Sequence, residues 1–80
     1  MKDTLHFIVS SIVDNGDAVS VDEQEIDGVV TFSVRVAKED MGKVIGKEGK
    51  VIRSIRNIMK IAAMKQDKRI SINLVDQSEE

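Results

Sequence analysis

Val44-Ile45-Gly46-Lys47-Glu48-Gly49-Lys50-Val51-Ile52-Arg53-Ser54-Ile55-Arg56, residues 44–56, stops one short helix, turns within four residues and starts a second. Gly46 can take the left-handed backbone that ends a helix without a Cβ penalty, and Gly49 lets another chain approach the backbone just before the next helix. The first N–H groups of that helix, on residues from Lys50 to Arg53, have no partner within it and would point at whatever anion stands there. A phosphodiester is the natural candidate. The phosphate loop of nucleotide hydrolases is excluded, because it requires G-x-x-x-x-G-K-[ST]. Val44 occupies the place of its first glycine and Val51 the place of its Ser or Thr.

Charge is divided along the chain around this stretch. The net charge of −2 is not that of a generic nucleic-acid binder. Residues 1–40, however, carry three basic groups (Lys2, Arg35, Lys38) against nine acidic ones, a balance of −6. Residues 41–69 carry nine basic groups against Glu48 and Asp67 alone, a balance of +7. The last eleven residues return −3 through Asp76, Glu79 and Glu80. The basic part begins where the glycine turn does.

Eighty residues make one small domain, near the lower limit for an independent apolar core, so burial against a partner would help it. With no cysteine there are no disulfides, thiolate metal sites or thiol chemistry. The early apolar run Phe7–Val13 is broken by Ser10 and Ser11 and followed by Asp14, too short for a membrane span or a signal sequence. The expectation is a soluble cytoplasmic protein that makes no membrane contact and carries no cofactor.

Leu5, Ile8, Val9, Ile12 and Val13 follow the spacing of an amphipathic helix, which Asn15-Gly16 would end. His6 beside that face is read as an ordinary helix position, with no second ligand near it. A strand over Val19–Ile26, the hairpin turn Asp27-Gly28 and a strand over Val29–Val36 follow. Turning there pairs Val34 with Val21 but sets Glu23 and Glu25 opposite Phe32 and Val30, so either a bulge or a tip projecting past the core is expected. Next come a short helix over Glu39–Ile45, a long one over Lys50–Lys65, and a closing strand over Arg69–Val75 with Ile70, Ile72 and Leu74 inward. Strand, helices and strand form a crossover, so the last strand should run parallel to Val29–Val36. Residues 1–76 form the domain, and 77–80 read as a frayed acidic tail.

On the long helix Val51, Ile52, Ile55, Ile58, Met59, Ala62 and Ala63 fill one side, and Lys50, Arg53, Arg56, Asn57 and Lys60 the other. Such a helix alone reads as a solvated amphipathic one. The glycine turn changes that reading, since Lys47, Lys50 and Arg53 gather where the helix N–H groups are free. Ile61 and Met64 project toward the polar side and are candidates for an interface. Phe7 and Phe32 are the only aromatic residues, both read as structural, which argues against modules that stack bases on aromatic rings.

The sequence 44–56 resembles the core signature of the KH domain, and the order α-β-β-α-α-β resembles its bacterial, type II arrangement over nearly the whole chain. That resemblance implies an α+β fold, a three-stranded mixed sheet packed by three helices on one face. It also implies a single-strand RNA-binding module whose Gly46-Lys47-Glu48-Gly49 loop clamps the backbone of four nucleotides. Bases would lie in an aliphatic groove using Ile45, Ile52 and Ile55 on one side and Ile70 and Ile72 on the other, residues that read equally well as core. Lys47, Lys50 and Arg53 would meet phosphate. Glu48 departs from the common pattern by placing a carboxylate at the same helix terminus, which implies weak binding with little sequence selectivity.

Chain length makes the protein similar to the KhpA-type family of small stand-alone bacterial KH proteins. That likeness implies an RNA chaperone or regulator, self-association or pairing with a larger KH-containing protein, and a role tied to cell shape, envelope growth and division. The competing class is a KH-fold protein-interaction subunit with vestigial RNA binding. An enzyme is not expected, because no nucleophile–base pair or metal cluster is visible.

Overall fold

Val30, Phe32, Val34 and Val36 alternate with Thr31, Ser33 and Arg35 along Val29–Val36 (β2), which gives the strand one apolar face and one polar face. All four apolar side chains are fully buried, which makes β2 the middle of the core. It is also the middle of the sheet, pairing antiparallel with Ser20–Ile26 (β1) and parallel with Arg69–Asp76 (β3). The structure, a computed structural model, describes residues 1–76; the tail expected at 77–80 lies outside the described residues.

Asp27 and Gly28 both have positive φ (53° and 78°), the requirement of the tight hairpin turn whose twist matches the strands. Val21 pairs with Val34 as the hydrophobic pattern demands. The register then runs unbroken from Ser20↔Arg35 to Ile26↔Val29, so β1 has no bulge. Instead β1 is exposed from Asp22 to Ile26, the projecting tip being the other resolution of the Glu23 and Glu25 conflict. Lys68, just before β3, meets Glu25 at 2.7 Å, and the Arg69 N–H donates to the Gly28 carbonyl at 3.0 Å. The start of the third strand is thereby fastened to the hairpin.

Three helices cover the apolar face of this sheet: Lys2–Ile12 (α1), Met41–Ile45 (α2) and Lys50–Met64 (α3). Helix α1 presents Leu5 and Val9 to the core, with Ile8 and Val13 half-buried beside them. It ends at Ile12, Val13 being extended, and a single 3-10 turn at Gly16–Ala18 leads into β1. Phe7 is not structural in the sense expected, because its side chain is 71% exposed. The reason is angular. Phe7 lies two residues from both Leu5 and Val9, and a shift of two residues on a helix points to the far side. The expected short helix at Glu39–Ile45 is a 3-10 turn over Lys38–Asp40 running directly into α2.

Helix α3 sends Ile52, Ile55, Met59 and Ala63 into the core, the i, i+3, i+7, i+11 set of one narrow stripe. Ile58 shares their apolar side in the sequence, yet it falls at the border of that stripe and is 49% exposed. Ile70, Ile72 and Leu74 turn toward the helices from β3, Ile72 fully and the other two partly buried. The arrangement is α-β-β-α-α-β, with a mixed sheet on one side and helices on the other.

Candidate nucleic-acid interface

The turn between α2 and α3 is built from backbone that only particular residues can adopt. The Gly46 N–H donates to the Gly42 carbonyl at 2.8 Å, closing α2. Gly46 itself has φ 78° and ψ 173°, a region that glycine alone occupies readily. A Cβ there would also stand 2.3 Å from Val51 Cγ2 and 2.9 Å from the Val51 backbone nitrogen. Lys47–Gly49 form one 3-10 turn, with the Gly49 N–H donating to the Gly46 carbonyl at 3.2 Å. Glu48 (φ 57°, ψ 25°) and Gly49 (φ 73°, ψ 16°) are both left-handed.

Gly49 is the residue immediately before α3, and no side chain caps that helix. Nothing outside its chain neighbours comes within 4 Å of the place a Gly49 Cβ would occupy. The backbone is therefore bare where the positive end of a 15-residue helix begins. Lys47, Lys50 and Arg53 are exposed around it, as is Glu48, and among the described residues none of the four makes an ion pair. Two other cations of the basic segment are already engaged with acids, Lys43 with Asp14 and Asp40, and Lys68 with Glu25.

Beyond the turn, a groove of about 650 Å³ lies between α3 and β3. Arg56, Asn57 and Lys60 line one wall, and Arg69, Ile70, Ser71, Ile72 and Asn73 the other. This is more polar than the aliphatic groove expected. Ile70 and Ile72 take part in it, but Ile52 and Ile55 turn into the core and do not reach it, and Ile45 is exposed beside the glycine turn. Ile61 and Met64 are 59% and 65% exposed, as their helical positions required.

His6 Nε2 lies 3.3 Å from the Val19 carbonyl, a hydrogen bond in the Nε2–H tautomer that ties α1 to the start of β1. The charged residue that sequence reasoning passed over is Asp40, which is fully buried. Its two carboxylate oxygens accept the backbone N–H groups of Asp14 (3.2 Å) and Asn15 (3.0 Å), and Lys43 Nζ stands 3.8 Å away. Lys43 also bonds Asp14, and Asn15 Nδ2 donates to Glu39 at 2.8 Å. The Asn15 N–H, helped by Asp14 N–H and Lys43, lowers the Asp40 pKa below that of an ordinary carboxylate, outweighing the opposite push of burial. The hydrogen bond to Asp14 raises Lys43 above an ordinary lysine. An Asp ahead of a helix ordinarily signals a cap on that helix, so nothing in the sequence pointed 25 residues backward to Asn15.

A three-stranded mixed sheet under three helices, with a Gly-x-x-Gly turn joining the second helix to the third, defines a type II KH domain. The sequence pattern described as "KhpA/KhpB, KH domain" matches residues 2–74. The chain is 41% identical over 75 residues to RNA-binding protein KhpA of Clostridium acetobutylicum, a match covering 94% of this chain and 100% of that one. It is 40% identical to RNA-binding protein KhpA of Caldanaerobacter subterraneus subsp. tengcongensis with the same coverage. Against RNA-binding protein KhpA of Listeria monocytogenes the identity is 34% over 76 residues, covering 95% of this chain and 100% of the relative. The chain belongs to the KhpA/KhpB family of KH domains.

Proposed function

We propose that residues 1–76 act as one module that binds single-stranded RNA, holding its backbone at the Gly46–Gly49 turn. The observation that carries this reading is the turn's own geometry. Two glycines and a left-handed Glu48 leave the first N–H groups of α3 without a side-chain cap, flanked by Lys47, Lys50 and Arg53. Relatives of similar length in the same family are named as RNA-binding proteins, which supports the same ligand class. The groove beside α3 offers Ile70 and Ile72 as apolar wall and Asn57, Ser71 and Asn73 as hydrogen-bonding groups for bases. Glu48 keeps the local field modest, so binding is weak and tolerant of sequence. Two modules joined in one assembly, as a homodimer or with a larger KH-containing partner, raise avidity for longer strands without any new contact.

The test is titration of a short single-stranded RNA against the wild-type protein and a Lys47→Asp, Glu48→Asp double variant. Asp accepts the left-handed conformation at position 48 better than Glu, and both sites are exposed, so the variant should keep its circular-dichroism spectrum and melting temperature. It should lose RNA binding, because two short carboxylates then face the phosphate. Equal affinity of the folded variant and the wild type would overturn the clamp. A wild-type protein that binds no RNA would leave the exposed Ile61 and Met64 as the starting point for a protein-interaction role.

A further inference from the structure

Helix α2 contains five residues and has the glycine turn at its C-terminal end. A helix that short has no stability of its own, so whatever fixes α2 to the rest of the molecule also fixes the turn. Its lower side is held by Val44, fully buried, and by Met41, partly buried against the core. Apolar packing of this kind resists removal from the core but is non-directional, leaving sliding and rotation weakly opposed. Directional restraint comes from the other end. Asp40 accepts no bond from its own helix; its carboxylate faces the α1–β1 connection and takes the Asp14 and Asn15 N–H groups. Lys43, one turn on, grips Asp14 and stands against Asp40, and Glu39 takes the Asn15 side chain. Five side chains, Glu39, Asp40 and Lys43 from one segment and Asp14 and Asn15 from the other, thus tie the start of α2 to a part of the chain about 25 residues earlier.

We propose that Asp40 is a positioning residue for RNA binding: its buried carboxylate, bonded to the Asp14 and Asn15 backbone, sets the placement of α2 and hence of the Gly46–Gly49 turn against the N-terminus of α3. Asp40 touches no RNA. It acts by keeping the bare N–H groups, Lys47 and Lys50 in one arrangement before the ligand arrives, so that binding does not have to order them. Both oxygens are needed, because each serves a different N–H. An amide in the same place keeps one acceptor and sets an NH2 group against the other donor.

The affinity arm of the test rests on the RNA reading above; the exchange arm does not. Amide hydrogen exchange and affinity for a short single-stranded RNA are measured on the full chain for wild type, Asp40→Asn and Val30→Ala. Val30 is buried on the central strand, so its variant controls for a general loss of stability. In Asp40→Asn the Gly46 and Gly49 amides should exchange faster while those of β2 stay protected. RNA affinity per folded molecule should fall roughly 2- to 30-fold, the range over which residues without ligand contact alter binding. Val30→Ala should melt earlier yet bind RNA as wild type does once folded. Should Asp40→Asn fail to fold, Lys43→Gln decides by exchange alone: Lys43 is exposed, and its loss should quicken the same two amides. Turn amides as protected as in wild type, or a profile matching Val30→Ala, would overturn the proposal. A wild-type protein that ignores RNA removes the ligand but leaves the exchange result to decide whether Asp40 places the turn.

Discussion

At Gly46 the backbone torsion and the space for a side chain make the same demand, whereas at Gly49 only the torsion does. Ala at 46 would sit at φ 78° and collide with Val51, while Ala at 49 would sit at φ 73° in open surroundings. Gly46→Ala should therefore destabilise by about 3 kcal/mol, combining left-handed strain with overpacking, and Gly49→Ala by about 1 kcal/mol. Urea unfolding of the two variants checks the order, and an equal loss at both positions would show that Val51 yields freely. Asp40 makes a prediction of a different kind. Its pKa is lowered in the folded state, chiefly by the Asn15 N–H and then by Asp14 N–H and Lys43, so its contribution is full above the unfolded carboxylate value of about 3.9. That contribution is lost as pH falls through the lower folded value. Thermal melts from neutral pH down to strong acid should show less stability lost below about pH 4 in Asp40→Asn than in wild type, the asparagine having no proton to gain. Neither Asp40's partners nor its burial could be read from the chain, because a hydrogen bond to distant backbone leaves no pattern in side-chain identity.

Among the elements, those with a strong period were legible. Strand β2 occupies the residues that its alternation marked, and α3 begins where the glycine turn required. Helix faces were less so, because the apolar stripe of a helix sequence is wider than the arc a sheet can cover. Ile58 and Ile12, both on the apolar side by sequence, lie outside the covered arc and are exposed. Ile52 and Ile55, the apolar residues of α3 nearest the turn, point inward, while Arg56, Asn57 and Lys60 form the wall of the groove, a division between core and surface that the aliphatic pattern leaves open. Exposed Ile58, Ile61 and Met64 on one helix leave α3 with more apolar surface than solvation favours. If Ile61 and Met64 form the contact in a dimer, sedimentation at micromolar protein should show two chains for wild type and one for Ile61→Asp with Met64→Asp. A wild type that stays monomeric at high concentration would leave that surface to a different partner.

For the whole molecule, the uneven charge of the sequence becomes a spatial one only in part. The acidic hairpin tip and the basic segment meet where Glu25 holds Lys68, and Asp14 and Asp40 hold Lys43, so some of the +7 excess is neutralised inside the fold. Among the described residues, the cations of that segment without a salt bridge include Lys47, Lys50 and Arg53 at the turn and Arg56, Lys60 and Arg69 along the groove. The crossover that makes this possible was legible as topology, because strand, two helices and strand have one economical route back beside the first. It has a further consequence for how the chain reaches its final shape. Strand β2 pairs with β1 across a two-residue turn but with β3 only through residues forty positions later, Val30 meeting Ile70 and Phe32 meeting Ile72. As the chain emerges from a ribosome, the hairpin can close early, yet one edge of its central strand stays without a hydrogen-bonding neighbour until α3 has also been made. Parallel pairing over that span is non-local and must meet its loop-closure entropy before any contact offsets it, so it follows the local helices and hairpin. The nascent protein thus passes through an interval in which its most apolar strand is open to another chain, and the last strand to be synthesised is the one that ends that exposure.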